Sequence, residues 1–125
     1  MIVEDETISV ISLRLVLKRL GYDICAEVPS GEDAILCVAQ KRPDLVIMDI
    51  NLAGKMDGIK TAEHIRFEYD TPILFWTGYT DRKLLEKACN IEHSICIVKP
   101  VSPDQIGQAV GKILTKQQGL SGKGF

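Results

Sequence analysis

The sequence predicts an α/β fold, a parallel sheet with helices on both faces, and three features predict it. Short apolar runs alternate along the chain with polar stretches of helical periodicity. The later runs, LVIM, ILFW and ICIV, are continuously apolar, as strands covered on both faces are. Residues that cap helices or make turns stand at the joints between runs.

Each element follows from its own residues. Ile2 and Val3 read as the end of a very short first strand. Thr7 is expected to cap a helix that carries Ile8, Ile11, Leu15 and Leu20 at helical spacing, with Gly21 left-handed just past its end. Tyr22 to Val28 reads as the second strand. Ser30 caps the second helix, whose first turn holds Glu32 and Asp33 where the helix dipole favours carboxylates, and Pro43 follows its end. Leu45 to Met48 is the third strand, and Asp57 with Gly58 opens the third helix. Pro72 precedes the strand ILFWT, Asp81 is placed to cap DRKLLEKAC, and Ile95 to Val98 makes the fifth strand. Ser102 caps the last helix, with Pro103 in its first turn.

A chain of 125 residues with 46% hydrophobic content is about one domain's worth, expected over residues 1–116, with 117–125, QQGLSGKGF, as a flexible tail or linker. No run approaches the roughly 18 apolar residues of a membrane span. The start, MIVEDETIS, is acidic where a signal peptide is basic and apolar, so a cytoplasmic chain is expected. Cys25, Cys37, Cys89 and Cys96 lack zinc-site spacing and read as small buried hydrophobes in a reducing compartment. Net charge −2 without a basic run gives direct nucleic-acid binding little support.

The chemistry collects at strand ends. In an open parallel sheet ligands bind outside the carboxyl ends of the strands, where the strand order reverses. There the sequence places Glu4 and Asp5, Asp49, Thr77, and Lys99 followed by Pro100. If the first and third strands are neighbours, about 4.8 Å apart, Asp5 and Asp49 come within roughly 6 Å. At an effective dielectric near 20 two such charges repel by about 2–3 kcal/mol. Lys99 offsets part of this, and an all-oxygen acidic pocket suits a hard cation such as Mg2+.

The acidic pair in VEDE, the Asp of VIMD, the DG opening the third helix, the Thr of FWTG and the LysPro of IVKP resemble the receiver domain of two-component response regulators. The resemblance covers about residues 2–116 and implies a flavodoxin-like, doubly wound sheet of order 2-1-3-4-5. It implies that Asp49 accepts a phosphoryl group from a sensor histidine kinase or phosphotransfer protein. Asp5 and Asp49 would bind Mg2+ directly, Glu4 through water, and the Asn51 carbonyl would complete the ligands; Thr77 and Lys99 would hold phosphoryl oxygens. An output domain or protein, or a second copy of the chain, would dock on the fourth helix, fifth strand and fifth helix. The chain is then expected to be a detached or excised receiver, a phosphoacceptor and not an enzyme, whose output lies outside these residues.

Two departures bear on this. Cys96 stands where receivers often carry a switching Tyr or Phe, and Tyr79 is a substitute candidate. The loop NLAGKMDG lacks the usual proline, and Ala53 and Gly54 are expected to loosen it. His64 and His93 read as a helix-face and a loop residue, and GQAVGK lacks the spacing of a phosphate-binding loop. Two other classes remain for comparison. A haloacid-dehalogenase-type phosphatase needs a second Asp where this chain has Asn51, and a receiver-like interaction module would not take phosphate.

Overall fold

The apolar runs become the strands of one five-stranded parallel sheet. The computed structural model describes residues 1–52, 54–78 and 82–122. Its strands are β1 (Ile2–Val3), β2 (Glu27–Val28), β3 (Val46–Met48), β4 (Ile73–Thr77) and β5 (Ser94–Val98), in the order 2-1-3-4-5. Between and after them run α1 (Thr7–Arg19), α2 (Gly31–Lys41), α3 (Gly58–Glu68), α4 (Arg82–Cys89) and α5 (Pro103–Gly122). This is the doubly wound, flavodoxin-like order, and the chain reverses its direction across the sheet at β1 and β3.

Strand alternation divides the core into two layers. Val3, Met48 and Phe75 point to the α2, α3 and α4 side, where they meet Val38, Ile59, Ile65 and Ala88. Ile2, Ile47, Leu74 and Trp76 point the other way, against Leu13 and Leu17 of α1 and Ile106, Val110 and Ile113 of α5.

Three caps form as the residues predict. Ser30 Oγ accepts from the Asp33 amide (3.2 Å), and Asp57 Oδ1 accepts from the Lys60 amide (2.8 Å). Ser102 and Gln105 make a reciprocal capping box at the start of α5, at 3.2 and 2.9 Å. Gly21 is left-handed, φ +91°, and its amide reaches the Lys18 carbonyl.

Elsewhere the structure corrects the sequence reading. Thr7 is the first helical residue rather than the cap; Glu6 is the N-cap, without a side-chain cap bond. The face of α1 is also different: Leu13, Leu17 and Ser9 are buried, while Ile8, Ile11, Leu15 and Leu20 are 74, 42, 60 and 48% exposed. The helix carries two apolar stripes, and contact with α5 and the sheet selects the one through Leu13 and Leu17.

The second strand is two residues long, not the seven expected from Tyr22 to Val28. An edge strand can pair only as far as its neighbour extends, and β1 is itself two residues long. Leu45 lies just before β3, its carbonyl accepting from the Met1 amino group (2.9 Å). β5 begins at Ser94, whose hydroxyl donates to the carbonyls of Ala88 and Ile91. It is half-buried along its length, with Val98 exposed, rather than covered on both faces, because it closes the sheet as an edge. The backbone of α5 continues to Gly122, past residue 116.

His64 sits on the exposed side of α3, His93 lies between α4 and β5 with φ +59°, and GQAVGK is inside α5. Ala53, Tyr79, Asp81 and residues 123–125 lie outside the described residues. Among the described residues no helix is long and apolar enough to cross a membrane.

Candidate functional site

Register brings the charged residues together. Val3 pairs with Met48 across β1 and β3, so the next residues, Glu4 and Asp49, leave the sheet side by side. The Asp49 amide completes the ladder by donating to the Val3 carbonyl (3.1 Å). On the other side Thr77 pairs with Val98, and the Lys99 amide donates to the Thr77 carbonyl (2.7 Å).

One carboxylate oxygen each from Glu4, Asp5 and Asp49 lies within 4.8 Å of the others. Into this cluster reaches Lys99, whose Nζ donates to Glu4 Oε1 at 2.7 Å and makes a longer contact, 3.5 Å, with Asp49 Oδ2. The ammonium also lies over the Trp76 ring, 5.2 Å from its centroid, so an aromatic wall from β4 helps to aim it. Asp49 Oδ1 accepts from the Asn51 amide at 3.1 Å, which holds one carboxylate oxygen at the start of the loop.

Burial makes Glu4 unusual. Its residue is 4% exposed, against 8% for Asp49, while Asp5 faces solvent. Burial pushes the Glu4 carboxyl up to about 7; the hydrogen bond from Lys99 opposes this and the Asp49 charge adds to it. Burial wins over the ion pair. Glu4 Oε2 also accepts from the Asp5 and Glu6 amides (3.1 and 3.4 Å), so the residue tethers the entry to α1 as well as facing the acidic cluster.

Thr77 is fully buried at the end of β4, and its hydroxyl donates to the Gly78 carbonyl (3.3 Å). The structure therefore brings Glu4, Asp5, Asp49 and Lys99 into one cluster, with Asn51 attached through its amide and Thr77 beside it through backbone.

Three supports escaped the sequence reading. Gly58 packs directly under the site: its amide donates to the Ile50 carbonyl (2.8 Å), and a Cβ there would collide with the Asp49 carbonyl oxygen. The DG pair was visible in the sequence, but only packing shows why its second member has no side chain. Glu32, on α2, accepts from the Lys55 and Met56 amides at 3.2 and 3.1 Å, which tethers the part of the loop just after Gly54. Trp76, within ILFWT, was legible only as a strand residue.

The donor set fits a hard divalent cation. Three carboxylates supply oxygen alone, two of them buried, and a cation would relieve the repulsion that Lys99 by itself leaves.

Comparison with known proteins bears on the family and the fold. The family model for the response regulator receiver domain matches residues 1–111. The chain belongs to that family. It is 33% identical over 110 residues to the transcriptional regulatory protein PdtaR of Mycobacterium tuberculosis, covering 88% of this chain and 53% of that one. It is 26% identical over 119 residues to the phyllosphere-induced regulator PhyR of Methylorubrum extorquens, covering 94% and 44%. The receiver thus spans about half the length of these relatives. Among solved structures, the signal receiver domain of a modulated diguanylate cyclase from Desulfovibrio desulfuricans superposes with TM-score 0.86 at 31% identity, covering 94% and 93%. The PhyR receiver domain of Erythrobacter litoralis gives 0.79 at 30%, covering 91% and 87%.

Proposed function

We propose that this receiver takes a phosphoryl group from the phosphohistidine of a sensor kinase or phosphotransfer protein onto Asp49, in a Mg2+-dependent reaction. The observation that carries the reading is the Lys99 ammonium reaching both Glu4 and Asp49 in a cluster that also holds Asp5. Asp5, Asp49 and the Asn51 carbonyl would hold the metal, with Glu4 acting through water. When bound, Mg2+ supplies positive charge to the phosphoryl oxygens.

The chain's own residues do the rest. Asp49 stands at the end of a central strand, with Oδ1 held by the Asn51 amide and Oδ2 on the Lys99 side. Its carboxylate attacks phosphorus as the phosphorus–nitrogen bond of the donor breaks. The acyl phosphate brings about two negative charges, and Lys99 turns from Glu4 toward them. The Thr77 hydroxyl leaves the Gly78 carbonyl for a phosphoryl oxygen. Both residues sit at the ends of β4 and β5, so their movement is passed to α4, β5 and α5, the face for an output domain, an output protein or a second receiver. Residues 117–125 would link to such an output. The activity of any longer protein belongs to that output.

Incubation with acetyl phosphate and Mg2+ should add about 80 Da to the chain. Asp49→Asn should abolish the adduct, and chelation of the metal should suppress it. An undiminished adduct in Asp49→Asn would remove the assignment.

A further inference from the structure

Away from the acidic cluster, the sulfurs of Cys89 and Cys96 are 3.1 Å apart. Cys89 is the last residue of α4, and Cys96 lies in the middle of β5, paired with Phe75. A disulfide bond is about 2.05 Å long, so closing it needs about 1 Å of sulfur movement, within the reach of small side-chain rotations. The environments of the two thiols differ. Cys89 is exposed, whereas Cys96 is half-buried and packs against the core that contains Val3, Met48 and Phe75. A side chain already holds the two elements together here, since Ser94 Oγ of β5 donates to the carbonyls of Ala88 in α4 and of Ile91 just beyond it. The sulfurs therefore face each other across a fixed joint.

We propose that Cys89 and Cys96 form a reversible thiol–disulfide pair, oxidised by hydroperoxides, that fastens the end of α4 to β5. The exposed Cys89 meets the oxidant. Its thiolate sulfur attacks a peroxide oxygen, the oxygen–oxygen bond breaks, and the other oxygen leaves as water or alcohol with the thiol's proton. Cys89 is now a sulfenic acid. The Cys96 sulfur attacks the Cys89 sulfur, the sulfur–oxygen bond breaks, and the departing hydroxide takes the Cys96 proton as water. Two thiols have lost two electrons to one peroxide, and a dithiol reductant returns them by exchange. In the reduced state burial, first, and the adjacent Cys89 push the Cys96 thiol up to about 12, so the exposed Cys89 is the sulfur that meets the peroxide first. Because Cys96 is three residues before Lys99, which directly follows β5, the bond adds an oxidant-dependent restraint to the elements beside the proposed phosphoacceptor site.

The test uses the full chain with hydrogen peroxide as the oxidant. Free thiols are then blocked with iodoacetamide and the protein is cleaved after Lys and after Glu, which separates Cys89 from Cys96 at Glu92. The expected result is a linked, unblocked pair of peptides carrying Cys89 and Cys96, released by dithiothreitol, while Cys25 and Cys37 remain blocked. Oxidation should raise Tm by about 5–10 °C, as closing a short loop does in a domain of this size. Cys89→Ser, at an exposed position, should abolish both effects, and amide exchange across Arg82–Cys89 should slow in the oxidised chain. Equal blocking of Cys89 and Cys96 before and after peroxide would overturn the proposal, as would cross-linked dimers in place of the internal bond. So would an equal Tm rise in Cys89→Ser, or unchanged exchange in α4. None of these readouts uses phosphorylation. The same outcome in Asp49→Asn separates this inference from the phosphoacceptor reading.

Discussion

β3 and β5 deliver opposite charges to the same edge of the sheet, yet they are built differently. β3 is central, paired on one side with β1 and on the other with β4, and Val46, Ile47 and Met48 are at most 3% exposed. β5 pairs with β4 and ends the sheet; its residues are half-buried, and Val98 is 41% exposed. Asp49 therefore leaves a strand clamped on every side, while Lys99 leaves one whose outer edge faces solvent. Local opening costs least where few buried contacts must break. The acidic half of the site thus leaves the covered centre of the sheet and the cationic half its open edge, a division that would suit the switch proposed above.

The largest effect that would sharpen the contrast is on stability. Met48→Ala removes a fully buried side chain from the clamped strand and should cost about 2–5 kcal/mol. Val98→Ala, on the exposed strand, should change stability by less than about 0.5 kcal/mol. Urea unfolding of the two variants measures the difference, and comparable losses would break the comparison.

A somewhat smaller effect concerns pH. The Glu4 carboxyl is raised from 4.5 to about 7 in the folded chain, so between those values the folded state holds a proton that the unfolded state has released. The stabilisation from that proton is complete below about 4.5 and is lost as pH rises through about 7. Metal-free protein should thus become less stable as pH rises across this window. Glu4→Gln should flatten the slope. Lys99→Met should move the Glu4 midpoint higher still, because Lys99 is the group that lowers it. A pH series of unfolding curves in chelator tests all three, and a parent slope of opposite sign would show that the buried cluster is not governed by burial.

The smallest effect compares two glycines. Gly58→Ala places a methyl against the backbone of Asp49 and Ile50 and should cost about 1–3 kcal/mol while displacing Asp49. Gly111→Ala meets open space inside α5 and should stabilise by up to about 1 kcal/mol. Thermal melts of the pair distinguish a glycine required by contact from one that is merely tolerated. Loss of acetyl phosphate labelling in Gly58→Ala alone would tie that contact to the site.

What the sequence by itself determined is local or additive. Burying LVIM and ILFW requires no knowledge of the neighbours, since such runs are driven from water whatever they pack against. Ser30, Asp57 and Ser102 cap their helices because each side chain reaches an amide three residues away. The polar residues at strand ends were legible for a related reason: parallel strands all point one way, so Glu4, Asp5, Asp49, Thr77 and Lys99 must share an edge. The tertiary structure decided whatever depends on residues far apart in the chain. Periodicity showed that α1 is amphipathic, but it carries two apolar stripes, and docking on α5 and the sheet buried Leu13 and Leu17 instead of Ile8, Ile11 and Leu15. The length of β2 was set by the shortness of β1, and the exposure of β5 by its place at the edge. The Trp76 wall under Lys99, the contact of Gly58 with Asp49 and the raised Glu4 carboxyl arise because folding brings distant groups together and removes water from between them, which no local pattern encodes.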